Sequence, residues 1–263
     1  MLTLEEKLAK SLSAESVKLI PYLPYLLQDL WELGSSPRDM VNLISRNIKI
    51  SENTKVLDLA CGKGAVSINI AKKFGCKVKG IDIIPVFIEY AKEKAKEYRV
   101  EALCEFVVGD INRSVKAEKD YDIVILGAVG AVLGQPAETL DKLTETIHDN
   151  GYVLLDDGYA KSESNEKHIT NFTCLSKKEW IGIIEKSGYR MIEDLLVDES
   201  ELSGVLDDQI RCLTQRCNEL KEKYPDQANL FDQYMKSQLT ECEELENDIM
   251  GVTMLLQRHN FTI

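Results

Sequence analysis

Long apolar runs are missing from this 263-residue chain. No stretch approaches the roughly 20 apolar residues a membrane-spanning helix needs. Met1 to Lys18 lacks the apolar centre of a secretory leader, so the expected location is the cytoplasm, away from membranes. Paired cysteines are missing too. The seven cysteines are scattered and none forms Cys-x-x-Cys, which fits reduced thiols. Histidine is scarce, three in all, with no cluster of ligands at metal spacing, so no metal is expected. Positive charge is in deficit. Against 44 Asp and Glu stand 32 Lys and Arg, a net charge of -12, which would repel nucleic acid and anionic membrane. What is present suits a soluble fold. The hydrophobic fraction of 44% is ample for a core, and the length allows one large domain with additions.

The chain is organised around Lys55 to Asp82. Val56, Leu57 and Leu59 form a short apolar run suited to a buried parallel strand, interrupted by Asp58. Gly62 and Gly64 follow, a turn where a ligand can approach bare backbone. Val66, Ile70, Ala71 and Phe74 then recur at helical spacing up to a stop at Gly75. Lys77 to Ile81 read as a second strand with Asp82 at its end. A strand, glycine turn, helix, strand and terminal acid make half of a nucleotide-binding α/β unit, and the acid past the glycines is the usual partner of ribose hydroxyls. A dinucleotide site would want a third glycine where Ser67 stands, which disfavours an NAD(P)-dependent oxidoreductase.

Asp58, Gly62 and Gly64, with Ala60 in place of a first glycine, resemble the acid-x-G-x-G-x-G motif of the class I S-adenosylmethionine (SAM) methyltransferases. The resemblance covers roughly Lys55 to Asn260. It implies a Rossmann-like, seven-stranded, mostly parallel α/β sheet with helices on both faces and a reversed final strand. It also implies SAM as cofactor, with Asp58 ordering the turn around the cationic methionine end. Cys61, inside the turn, is expected to be a small packing residue. Asp82 and Ile83 would meet the ribose side. Asp110 would accept from the adenine amino group and Ile111 would pack on the ring. Gly127, after the strand Tyr121 to Leu126, would line the methionine arm. The Asn/Asp-Pro-Pro-aromatic motif of base- and glutamine-methylating relatives is absent there, as is the Pro-Cys nucleophile of cytosine-C5 enzymes. The implied reaction is in-line methyl transfer to a small-molecule acceptor. The catalytic residues are not assigned. The alternative is a non-catalytic SAM-binding or interaction protein.

Three segments surround this pattern. Residues 1–50 read as a helical cap, with Leu4, Leu8 and Leu12 on one face and a second run through Leu26, Leu27, Leu30 and Leu33. Tyr22, Tyr25 and Trp31 are its candidate pocket aromatics. Residues 51–197 plus 250–263 form the SAM-binding domain. In it, Pro85 starts a helix with Val86, Ile88 or Phe87, Ala91, Ala95 and Tyr98 inward, and Leu140 to His148 form another. Gly151 to Asp156 is a strand, with Asp157 and Tyr159 as candidate substrate contacts beyond it. A carboxylate in Asp156 to Tyr159 could also serve as a base or a metal ligand, against a plain turn. Ser176 with Glu179 reads as a capping box. His168 lies in a polar loop, expected to be solvated. Residues 198–249 interrupt the last two strands. Leu202, Leu206, Ile210, Leu213, Cys217, Leu220 and Tyr224 step by three or four, as do Phe231, Met235, Leu239, Cys242, Leu245 and Ile249. This is a helical hairpin, with 14 acids against 5 bases over Asp198 to Met250. It is expected to serve as a lid, a substrate wall or a homodimer contact.

Overall fold

The structure, a computed structural model, describes residues 3–161 and 175–259. His168 lies outside the described residues. Seven strands form one sheet: β1 (Lys55–Leu59), β2 (Lys77–Asp82), β3 (Cys104–Val108), β4 (Tyr121–Gly127), β5 (Ile147–Ala160), β6 (Tyr189–Leu196) and β7 (Ile249–Arg258). Their order is β3-β2-β1-β4-β5-β7-β6. β7 runs antiparallel to both its neighbours, and the other pairs are parallel. The strand order reverses between β1 and β4. At such a switch point two crossovers diverge, opening a crevice at the carboxyl ends of the strands.

The helices are α1 (Leu4–Ser11), α2 (Leu23–Leu26), α3 (Pro37–Asn47), α4 (Ala65–Phe74), α5 (Pro85–Glu97), α6 (Ile111–Ala117), α7 (Pro136–Thr144), α8 (Lys177–Lys186), α9 (Glu199–Lys223) and α10 (Ala228–Asn247). Both sheet faces are covered, as a mostly parallel sheet requires. Val56, Ile123, Ile125 and Leu154 pack under α3, α4 and α5. Leu57, Val124, Leu126 and Val153 pack under α6, α7 and α8, where Trp180 is buried. Local signals set the helix ends. Gly75 closes α4 in the left-handed conformation. Pro85 opens α5. Ser176 and Glu179 form the reciprocal cap of α8.

A third apolar cluster stands apart from the sheet. Leu19, Leu23, Leu26 and Leu27 from the N-terminal segment are buried with Leu213, Cys217, Leu220, Phe231 and Tyr234 from α9 and α10, and with Ile84 and Phe87. The two added segments therefore share one core.

Four readings are corrected. The run through Leu27, Leu30 and Leu33 is not a helix: α2 stops at Leu26, and the following carbonyls of Leu27 and Leu30 are taken by Lys63. The helix expected up to His148 ends at Thr144. The hydroxyls of Thr144 and Thr146 donate back to Leu140 O and Leu143 O, and β5 begins at Ile147. Val86 faces out, 57% exposed, while Phe87 and Ile88 face in. In α10 the buried stripe is Phe231, Tyr234 and Gln238, and Leu239 is exposed. The polar Gln238 is tolerated there because Gln209 Nε2 donates to its Oε1 at 3.2 Å.

Candidate cofactor site

β1 brings Asp58 to the crevice, 3% exposed. Its Oδ2 accepts from Ser67 Oγ at 2.6 Å. Ser67 lies in the first turn of α4, so the residue that breaks the dinucleotide pattern ties the motif acid to the helix. Burial pushes Asp58 up to about 7, the charge of Asp82 adds to the push, and Ser67 opposes it.

The chain then turns back through left-handed residues at Ala60, Gly62 and Gly64. At Gly64 a Cβ would stand 2.8 Å from Ala91 Cβ and 2.9 Å from Phe106, so only glycine fits. Cys61 packs over Gly80, and burial pushes its thiol well above the ordinary range, as befits a packing group. Asp82 is 7% exposed at the end of β2. Its Oδ2 accepts from Gly62 N and its Oδ1 from Ile84 N, both at 2.9 Å. Burial raises its pKa, and these backbone donors pull the other way. At Gly127, the end of β4, a Cβ would collide with Ser35 Oγ and Met40.

Asp58, Ala60, Gly62 and Gly127 line one cleft, together with Trp31, Leu33, Ser35 and Lys63. The other expected contacts lie around it. Gly64 caps α4 with its backbone and Asp82 holds the turn. Ile83 packs against the cap cluster. Asp110 caps α6, its Oδ1 accepting from Asn112 N at 2.9 Å, and Ile111 is buried beneath that helix. Gly109 N donates to Asp82 O, which keeps the ends of β2 and β3 adjacent.

The expected substrate residues separate. Trp31 reaches the cleft, and its Nε1 donates to Lys63 O at 3.1 Å. Tyr22 turns to the hairpin, donating to Gln227 Oε1 at 2.9 Å and meeting Tyr224 and Phe231 edge-on. Tyr25 donates to Glu219 Oε2 at 2.5 Å. Asp157 Oδ1 accepts from Gly158 N, and burial raises this acid to about 6. Tyr159 is buried under α8, its hydroxyl donating to Asp194 Oδ2 at 3.1 Å. A separate hollow between α8 and β6, lined by Ile184, Arg190 and Asp194, is remote from the glycine turn.

Sequence reasoning passed over Ser35 and Lys63 and gave Ser67 no partner; Asp156, read there as a turn or a base, is raised by burial to about 7. A lysine between two glycines was a readable signal. Ser35 was not, because it reaches Gly127 only through the path of the chain.

The residues present fit an adenosyl sulfonium ligand. Bare backbone allows close approach, and two buried carboxyls, costly to ionise alone, favour a ligand bringing positive charge and hydroxyl donors.

Residues 50–250 match the model of a family described as a methyltransferase domain. An uncharacterized protein of Haemophilus influenzae is 24% identical over 153 residues, 54% of this chain and 61% of that protein. The ribosomal protein L11 methyltransferase of Dictyoglomus thermophilum is 38% identical over 101 residues, 38% of this chain and 32% of that one. The chain thus spans less than two thirds of either relative. In three dimensions it superposes on a SAM-dependent methyltransferase from Geobacter sulfurreducens in complex with S-adenosyl-L-homocysteine. The TM-score is 0.75 and the identity 19%, over 91% of this chain and 98% of that one. The family model spans most of the chain, and the fold agrees: the chain belongs to the methyltransferase-domain family.

Proposed function

We propose that this protein transfers a methyl group from SAM to a small-molecule acceptor. The observation that carries the reading is the left-handed turn from Ala60 to Gly64, set between the buried acids Asp58 and Asp82. SAM supplies an electrophilic methyl on a cationic sulfur; an acceptor lone pair takes the methyl, the C–S electrons stay on sulfur, and S-adenosylhomocysteine is left. The chain's own part is to bind, orient and exclude water, and orientation alone is worth up to ~7–11 kcal/mol in well-aligned systems. Asp58 orders the turn and sets a negative charge near the sulfonium. Asp82 holds Gly62 and meets the ribose hydroxyls. Asp110 and Ile111 serve the adenine. Gly127 gives the methionine arm room.

The acceptor enters beneath the cap built from the N-terminal segment and the α9–α10 hairpin. Trp31 forms part of its wall, while Tyr22 and Tyr25 fasten the hairpin. A cap with its own apolar core, an overall negative charge and the absence of a base-holding motif favour a small acceptor over a polymer. An acceptor that must lose a proton has the partly protonated Asp156 and Asp157 near the end of β5.

Calorimetry tests the cofactor. SAM or S-adenosylhomocysteine should bind in the micromolar range and NAD should not. Asp82→Ala should weaken SAM by ~1–3 kcal/mol, because ribose hydroxyls and Gly62 N lose a charged acceptor. NAD binding without SAM binding would defeat the reading. Release of S-adenosylhomocysteine across a metabolite library identifies the acceptor. Turnover of a protein substrate alone would overturn the small-molecule assignment, and binding without any turnover would leave a non-catalytic binder.

A further inference from the structure

The glycine turn is fastened from above by a residue of its own. Lys63 lies between Gly62 and Gly64 and is 3% exposed. A lysine this deep must have its donors answered. Nζ donates to Leu27 O at 2.5 Å and to Leu30 O at 2.6 Å. Leu27 follows the end of α2, and its carbonyl also accepts from Leu30 N at 3.1 Å, so the ammonium binds both ends of one turn of chain. The ammonium also stands 5.0 Å from the ring centre of Tyr90 and 5.6 Å from that of Phe87, which favours its charge. Burial lowers its pKa to about 8, and the charge of Asp29 opposes that.

The same short segment grips the turn elsewhere. Trp31 Nε1 donates to the Lys63 carbonyl. Leu33 packs on Gly62, its Cδ1 3.3 Å from where a Cβ would be, and Ser35 packs on Gly127. Residues 27–35 therefore lie across both turns that frame the cleft and themselves line it. Their outer side is tied to the hairpin, where Arg216 donates to both oxygens of Asp29 at 2.6 and 2.8 Å. A ligand bound to the glycine turn and to Gly127 has this strap as its roof.

We propose that residues 27–35 are the lid of the cofactor site and that Lys63 is its latch, a positioning residue whose ammonium holds the carbonyls of Leu27 and Leu30 closed over the bound adenosyl ligand. The inference rests on the SAM reading above. Entry and exit of the ligand require the lid to lift. A methionine at 63 would fill the same space without the two bonds, and the lid would open more often.

The probe is S-adenosylhomocysteine. Its dissociation rate is measured by stopped flow, and hydrogen exchange is followed at residues 27–35, in the wild type, Lys63→Met, Lys63→Arg and Trp31→Phe. Lys63→Met should speed dissociation about tenfold. It should also abolish ligand-induced protection of 27–35 while protection of β1 and β4 persists. Lys63→Arg, which keeps a cation, should recover part of both. Trp31→Phe removes the bond to the Lys63 carbonyl and should speed dissociation severalfold; it decides the matter if Lys63→Met does not fold. A lower melting temperature with dissociation within ~twofold of wild type in every variant would overturn the latch. Failure of the wild type to bind S-adenosylhomocysteine defeats the cofactor reading instead. The latch is then judged by ligand-free exchange at 27–35, and equal rates in wild type and Lys63→Met would overturn it.

Discussion

Burial moves the Asp58 carboxyl from its ordinary 3.8 up to about 7, and the sign of the consequence follows from which state holds the proton. Between those two values the folded protein keeps a proton that the unfolded chain has lost. Stability therefore falls as pH rises from about 4 to about 7, the reverse of an acid held by a salt bridge. Asp156 has the same sign for the same reason. Asp58→Asn keeps the shape and an acceptor for Ser67 but never ionises. Ligand-free Asp58→Asn should be more stable than wild type at pH 8, on the order of 2 kcal/mol, with a smaller gap at pH 5. SAM affinity should fall in the same variant. Below pH 7, SAM binding to wild type should release a proton, read as a dependence of the calorimetric heat on the buffer's ionisation enthalpy. A variant that loses stability at pH 8 and keeps its SAM affinity would show that Asp58 stays charged without a ligand.

At the level of elements, the hairpin and the N-terminal segment are mutually dependent. Arg216 bridges to Asp29 and stacks 5.7 Å from the Tyr25 ring, while Arg38 holds Glu201 near the start of α9. Arg216→Met should raise exchange at residues 27–35 severalfold and leave β1 unchanged, measured by native-state hydrogen exchange. Excising the hairpin would bare Leu19, Leu23 and Leu26, so the deletion should unpack the N-terminal segment as well. The sheet was legible because β1, β4, β5 and β7 carry short apolar runs, and the glycine turn because its chemistry is local. The cap was less so. Leu30 and Leu33 have helical spacing, and nothing nearby in sequence announces that a lysine some thirty residues later takes the carbonyls the helix would have used. In α10 the apolar pattern pointed to Leu239, but a polar pair between helices put Gln238 inside. Asp58 and Gly62 could be read alone; Ser35 had to be folded against them.

For the whole molecule, ligand binding should appear as a rise in melting temperature. At a hundredfold excess over Kd, S-adenosylhomocysteine should add about 2.7 kcal/mol. For a chain of this size that is a rise of roughly 5–10 °C. NAD at equal concentration should add nothing. A scan with the two ligands reversed would place the protein in the other nucleotide class.

β7, the last strand in sequence, lies between β5 and β6. Among the described residues β6 pairs with β7 alone, so it cannot join the sheet until β7 has been made. The cap core has the same property, because Leu19 to Leu27 wait for Leu213 to Tyr234. During synthesis at ~5–20 residues per second, the N-terminal leucines would leave the ribosome roughly 10–40 seconds before their partners. A nascent chain thus carries these leucines as unmatched apolar surface until their partners emerge. It would be a natural client of chaperones that bind early apolar segments.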